Sequence, residues 1–512
     1  MCAASSREIR MTTFHDRIRK TLKIDPAADA IQHEGKWTTW GELGDIVDGV
    51  DAALERAGSA PDGAVGCILR NTPKHAGLIL SVVASDRCLI TLNPFYPDET
   101  LAADVRKLRP PVIAASSQDW ERQALVDAAR DVGAAGIELT GDPKAPVRAV
   151  PGLEKITGQD LFKPDPGVVI YMLTSGTTGT PKRVPLTRTR VLKTLEVALR
   201  FEKNRTLDGE PELRKAVTIH QGAMVHIAGL WGLISAVMGG FKICMLDKFN
   251  LAEWRRAIAE HKPRVASLPP SAMLMLLDSD ATAEEFESVI CFRCGTAPTS
   301  VETIDRVWEK FKKPLLTNYG STEFTGVSGW EIDDWKKNWD THRGSVGRVS
   351  KEYDARVVDP ETGAELPFGT EGVLELRGDF LWEGKWVRTT DLARIDADRY
   401  LWITGRTDNA INRGGFKVHG EEIGHILETH PEVLEACVVG IPDKRLGAVP
   451  AAAIVLRDGA HLSEDELRIW ARQHMLPYQT PTVFRFIDEM PRTPSMKPKI
   501  VEIKKLFETE EA

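Results

Sequence analysis

The chain predicts an α/β fold built on parallel sheets, and three observations carry that expectation. Between residues 70 and 150 helical patterns alternate with short apolar runs: AGLILSVVAS, then CLITLNP, PPVIAAS and GAAGIELTG. Strands separated by helices are joined by crossovers, which gives α/β layering with parallel strands. After Pro164-Asp165-Pro166-Gly167 breaks the chain, GVVIYML at 167–173 reads as a buried strand feeding a Ser/Thr/Gly loop. A second α/β wave then runs to about residue 320.

The texture changes beyond that point. DARVVDPETG, GVLELRG and DLARIDADRYLWITG read as short strands with turn signals, so about 344–405 is a β-rich part made of hairpins. After Gly405 the pattern is mixed: helix GEEIGHILETH, strands ACVVGI and AAAIVL, helix SEDELRIWARQHM. This stretch is expected to be a separate α+β domain, with the polar run RTDNAINRGG as its connection. The expected division is therefore 1–405 and 406–512.

Composition excludes several classes. At roughly 150 residues per domain, 512 residues are enough for three to four folding units. Hydrophobic residues at 42% and charged ones at 27% exclude wholesale disorder. The net charge of −8 comes with no basic block, so no nucleic-acid partner is expected. The longest nearly apolar run, Ile227 to Phe241, holds 15 residues with four glycines and a serine, too short to span a bilayer. The opening MCAASSREIRMTTFHDR lacks the apolar core of a secretory signal, and seven scattered cysteines do not make a disulfide framework. A cytoplasmic multidomain protein is the expectation. Cys291 and Cys294 form a single CxxC with no second pair, so zinc is not expected.

The loop after the 167–173 strand reads Thr174-Ser175-Gly176-Thr177-Thr178-Gly179-Thr180-Pro181-Lys182. Its glycines let backbone N–H groups turn inward, its hydroxyls add donors, and Lys182 can meet a phosphate as a point charge. The spacing is not that of the Walker loop, because no Ser or Thr follows the lysine.

Four further motifs follow in order: YGSTE at 319–323, TTD at 389–391, GRTDNAINRGG at 405–415 and PRTPSMK at 491–497. Together the five resemble the adenylate-forming superfamily of acyl- and aryl-CoA synthetases, luciferases and peptide-synthetase adenylation domains, over nearly the whole chain. The resemblance implies a large N-terminal domain of two α/β subdomains plus a β-barrel, and a small mobile α+β C-terminal domain with its hinge at Asp408. It also implies an ATP-dependent acid–CoA ligase that forms an acyl-AMP, releases pyrophosphate, and uses ATP, Mg²⁺ and CoA.

By the same resemblance, Thr174, Ser175, Gly176, Thr177, Thr178, Gly179 and Lys182 hold the β- and γ-phosphates. Thr322 touches phosphate and Glu323 recruits Mg²⁺, a hard cation suited to one carboxylate plus waters. Adenine lies between Tyr319 and the Gly295-Thr296-Ala297 backbone, with Asn318, Gly320 and Ser321 completing the nucleotide segment. Asp391 and Arg406 contact the ribose, although Thr390 stands where the family usually has glycine and is expected to alter only the local turn. Lys497 bridges the attacking carboxylate and the α-phosphate, and Lys499 is its fallback. Met496 replaces a glycine there, so a positive φ at that point would strain the loop. Gly415 and Lys417 line the pantetheine tunnel of CoA-forming members.

His226, in MVHIAGL, matches the histidine that borders the acyl path. The segments 222–240, 295–300 and 317–329 contain no Lys or Arg, which suits an apolar monocarboxylate. Glycines 229, 232, 239 and 240 signal either close packing or room for a bulky acyl group. WEIDDWKKNWD, with Trp330, Trp335 and Trp339, reads as a loop partly covering the site. Transfer to an acyl carrier protein or an amine, a non-catalytic sensor of acyl-AMP or CoA esters, and a homodimeric assembly stay open.

Overall fold

The computed structural model describes residues 15–174, 182–200, 209–295, 297–324, 326–378, 384–407, 410–413, 416–443, 445–493 and 496–508. These residues form two compact units. One holds the described residues through Ala266 together with Thr322, Glu323 and Phe324; the other holds Ser267–Ser321 and the described residues from Gly326 onward.

The first unit contains a seven-stranded sheet in the order Val147–Ala149, Ala135–Leu139, Val112–Ser116, Ala64–Ile68, Cys88–Leu92, Val168–Thr174, Lys182–Thr187. Its five central strands are parallel, and the helix Pro73–Val83 makes the crossover between Ala64–Ile68 and Cys88–Leu92. The expected α/β wave over 70–150 is present. A four-stranded sheet orders Val217–His220, Lys242–Met245, Asp29–His33 and Lys36–Thr39. Helix starts follow local chemistry: Thr39 and Glu42 form a capping box on Trp40–Ala57, and Gly58 closes that helix at φ 85°.

Asn71, just past the strand Ala64–Ile68, ties these two sheets together. Its amide nitrogen donates to the Gly222 and Leu246 carbonyls at 3.0 Å each, and its oxygen accepts from Met224 N at 3.0 Å. Gly229 then lets the 222–223 backbone lie against the helix Ile227–Met238: a β-carbon there would sit 2.2 Å from the Ala223 oxygen. One on Gly232 would meet the His220 ring at 3.2 Å, and one on Gly240 the Glu212 oxygen at 1.9 Å. These three glycines serve close packing.

In the second unit, Cys291–Cys294, Leu315–Tyr319, Ser328–Gly329 and Arg348–Val349 are successive neighbours in one sheet. Cys291–Cys294 and Leu315–Tyr319 are parallel. The β-rich part is a four-stranded antiparallel sheet of Asp354–Val358, Gly372–Arg377, Val387–Ile395 and Leu401–Arg406. The C-terminal sheet contains Phe416–His419, Ala410–Arg413, Gly447–Leu456, Val433–Asp443 and Val483–Phe486, covered by helices Gly420–Glu428 and Glu464–His474. Ala410–Arg413, expected in the polar connection, is thus a strand paired antiparallel with Phe416–His419.

The tryptophan segment is not a cover. Trp330, Trp335 and Trp339 are buried, Trp335 inside the helix Ile332–Asn338 and Trp339 at its C-cap. Their rings continue a ladder: Trp308–Trp335 centroids lie 5.4 Å apart, Trp335–Trp339 5.7 Å, Trp330–Tyr400 5.1 Å and His342–Tyr400 3.7 Å. It couples the helix Val301–Phe311 to the antiparallel sheet within this unit. Among the described residues no helix is long and apolar enough to cross a membrane.

Asn71→Ala strands two carbonyls and one N–H that the amide now satisfies, and each unpaired buried group costs about 1–3 kcal/mol. Urea unfolding should show a loss on the order of 3 kcal/mol, allowing for partial hydration. A midpoint matching wild type would mean that Asn71 does not hold the two sheets.

Candidate active site

In the first unit, the buried strand Val168–Thr174 ends where the phosphate loop was expected. Thr91, fully buried in Cys88–Leu92, takes over where main-chain pairing gives out: Leu173 N donates to its Oγ1 at 2.7 Å, and Oγ1 donates to Tyr171 O at 3.3 Å. Thr174 faces Lys182 in the hairpin register, and Lys182 is exposed. Next to it Arg183 pairs with Asp104 through both guanidinium nitrogens, one at 3.0 Å. Ser175, Gly176, Thr177, Thr178 and Gly179 lie outside the described residues, as do Thr296, Asp408 and Gly415.

His226 stands immediately before the helix Ile227–Met238, at the end of the loop that Asn71 holds. Its N–H donates to Ala223 O at 2.9 Å. Nearby His220 is buried, which pushes its pKa down to about 4 and keeps it neutral. Thr322 and Glu323 are half-buried. The Thr322 carbonyl accepts from Arg190 Nη2 at 2.7 Å, and Arg190 is only 6% exposed. Counting cations by segment missed Arg190, because it comes from the helix Arg188–Arg200.

In the second unit, residues expected to meet the nucleotide lie at the carboxyl ends of two parallel strands, the usual ligand position in open α/β sheets. Gly295 follows Cys291–Cys294, and Asn318 and Tyr319 end Leu315–Tyr319. A β-carbon on Gly295 would lie 2.6 Å from Asn318 Oδ1, so a larger residue there would have to push the Asn318 side chain aside. Ala297 is half-buried beside it in sequence, and Ser321 likewise, while Gly320 is exposed.

The Tyr319 hydroxyl donates to Asp391 Oδ2, and Asp391 Oδ1 accepts from Arg406 Nη1 at 3.4 Å. Asp391 and Arg406 are cross-strand partners in the antiparallel sheet. Thr390 does more than shape the turn: its Oγ1 accepts from Arg406 Nη2 at 2.7 Å, and its carbonyl accepts from Thr407 N at 2.7 Å. Tyr319, Asp391, Thr390 and Arg406 therefore form one hydrogen-bonded group. Lys417 lies in the strand Phe416–His419, across from Asn412.

Lys497 is exposed, in a turn closed by Arg492 and Pro498. Met496 does occupy the left-handed region, at φ 64°. That conformation costs an L-residue roughly 1–2 kcal/mol. Lys499, the fallback, is engaged in an ion pair with Glu502.

The family model described as AMP-binding enzyme matches residues 18–386, and that for the AMP-binding enzyme C-terminal domain matches 422–497. The chain belongs to the AMP-binding enzyme family. It is thus a member of the adenylate-forming superfamily that its motifs resemble. It is 27% identical over 485 residues to 4-coumarate–CoA ligase 3 of Oryza sativa subsp. japonica, covering 90% of this chain and 86% of that one. Identity to the peroxisomal OPC-8:0-CoA ligase 1 of Arabidopsis thaliana is 27% over 497 residues, covering 90% and 87%. The crystal structure of ATP-bound MatB from Rhodopseudomonas palustris shares the fold, with TM-score 0.81, 22% identity and coverage of 96% and 99%.

Met496→Gly removes the left-handed penalty of roughly 1–2 kcal/mol and returns about 0.5–1 kcal/mol in chain flexibility. A rise in the urea midpoint is expected. Met496→Ala, which keeps a β-carbon at the same φ, should show none; equal stabilisation by both would exclude backbone strain as the cause.

Proposed function

We propose that this AMP-binding enzyme, an AMP-forming acid–CoA ligase, acts on an apolar monocarboxylic acid in the cytoplasm. The observation that carries the reading is the hydrogen-bonded group of Tyr319, Asp391, Thr390 and Arg406 at a strand end, in a chain whose relatives include CoA ligases. A carboxylate oxygen of the acid attacks the α-phosphorus of ATP, the bond to the β-phosphate oxygen breaks, and pyrophosphate leaves. The thiol sulfur of CoA then attacks the acyl carbon, and AMP departs.

The chain's own groups divide the work. Asp391 and Arg406 meet the ribose hydroxyls, with Thr390 holding the guanidinium in line. Adenine stacks on Tyr319, whose hydroxyl is already held by Asp391. Glu323, on a segment steadied through the Thr322 carbonyl by Arg190, would hold Mg²⁺. The metal supplies charge neutralisation on the phosphate oxygens. Lys497 stabilises charge that develops as carboxylate and α-phosphate approach, a contribution on the order of 3–4 kcal/mol for one preorganised donor. His226 borders the acid, and Gly415 and Lys417 line the path of the CoA arm. We place the domain division at 405/406, with Asp408 as the hinge.

Lys497→Ala should reduce acid-dependent exchange of labelled pyrophosphate into ATP by about 10²–10³-fold. Thioester formation from supplied acyl-AMP and CoA should stay comparatively intact, because the lysine belongs to the first half-reaction. Equal loss of both would refute that division of labour.

Substrate charge gives a second test. Burying an unpaired second carboxylate costs several kcal/mol, which at 1.4 kcal/mol per decade is about 10² or more in kcat/KM. An apolar monoacid should beat a dicarboxylate of equal length by that factor, measured as CoA consumption at saturating ATP. A diacid preference would overturn the apolar reading and point to Arg190.

A further inference from the structure

The turn that carries Lys497 depends on contacts at the peptide joining it to Met496. That peptide is a rigid plane, so fixing its two polar ends fixes the start of the lysine residue. On one end, Lys497 N donates to Thr493 Oγ1 at 3.2 Å. On the other, the Met496 carbonyl accepts two bonds: from Arg492 Nη1 at 3.0 Å and from Ser271 Oγ at 3.3 Å. Arg492 is a neighbour in the chain and is itself anchored by Glu435. Ser271 is 225 residues away, in the first turn of the helix Pro270–Asp278.

The far end of that helix makes a second attachment. Asp278 Oδ1 accepts from Arg457 Nη1, in the C-terminal part, and from Arg306 Nη2 at 2.6 Å. The helix therefore grips the C-terminal part at its first turn and at its last residue. Because Arg306 also pairs with Asp278, losing Arg457 would not leave that carboxylate alone. A residue at φ 64° persists only where its surroundings over-determine it.

We propose that Ser271 is a positioning residue for Lys497. Its hydroxyl, by holding the Met496 carbonyl, sets the direction in which the lysine side chain leaves the turn. This rests on the reading of Lys497 as the adenylation lysine. Ser271 itself need not touch ATP or the acid.

The test measures both half-reactions in the full-length enzyme: acid-dependent pyrophosphate exchange, and thioester formation from supplied acyl-AMP with CoA. Ser271→Ala should lower the exchange kcat about tenfold, as a displaced catalytic group would, with KM for ATP and acid unchanged. Thioester formation should be unaffected, and Ser271→Thr, which keeps the hydroxyl, should restore exchange. In the Ser271→Ala, Lys497→Ala double variant the serine change should add no further loss, since it acts through the missing lysine. Wild-type exchange in Ser271→Ala, equal loss in both half-reactions, or an additive double variant would each overturn the proposal. If Lys497→Ala alone keeps exchange, the lysine reading falls and the Ser271 proposal with it. Loss in Lys497→Ala with wild-type rates in Ser271→Ala removes the serine proposal alone.

Discussion

Irregular backbone at the ends of strands has no ladder partner, and that one constraint shapes the residues around the candidate site. Every buried N–H and C=O there needs a substitute donor or acceptor. The chain supplies them from single polar side chains. Asn71 serves the loop leading to His226, and Thr91 serves the strand Val168–Thr174. Thr389 accepts from Asp391 N and donates to the Leu374 carbonyl, while Arg492 and Ser271 serve Met496. None of these side chains is among the residues to which the family resemblance assigns chemistry.

Within the second unit, the candidate residues differ in how firmly they are held. Tyr319, at the end of a strand in one sheet, meets Asp391 of another through its hydroxyl, and Asp391 and Arg406 are cross-strand partners whose relative positions follow from sheet register. The aromatic ladder from Trp308 to Tyr400 then packs that sheet against the helix Val301–Phe311. Lys497, in contrast, lies in a turn with a left-handed methionine before it, closed by a single bridge and a few main-chain bonds, with the Thr493 hydroxyl accepting from its N–H. A side chain held this way can be released by losing a few hydrogen bonds. A cross-strand pair cannot, because it moves only with its whole sheet.

Departures from the family pattern become intelligible at the level of single atoms. Thr390, in place of a glycine, provides a hydroxyl that Arg406 uses. Met496, also in place of a glycine, keeps the glycine-like φ and has its carbonyl held at two points. One substitution brings a contact, and the other brings strain that its neighbours restrain.

Much was determined by the sequence itself. Period and turn chemistry are local, so the strands at 88–92, 112–116, 135–139 and 168–174 were legible, as were the helices Gly420–Glu428 and Glu464–His474. Motif order carried the family and the candidate residues, because five short motifs stand in register along one chain. Long-range pairing was not legible. Asp29–His33 joins Lys242–Met245 across more than two hundred residues, and no local signal announces such a partner. Trp330, Trp335 and Trp339 have no clean helical spacing because their ladder partners, Trp308 and Tyr400, come from two distant stretches. Whether the glycines of 229–240 made room or packing depended on what faced them, and the facing atoms are Ala223, His220 and Glu212. Arg190 at Thr322 and Ser271 at Met496 are likewise products of folding. A side chain's type is written in the sequence, but its partner is decided by which backbone the tertiary structure leaves unsatisfied beside it.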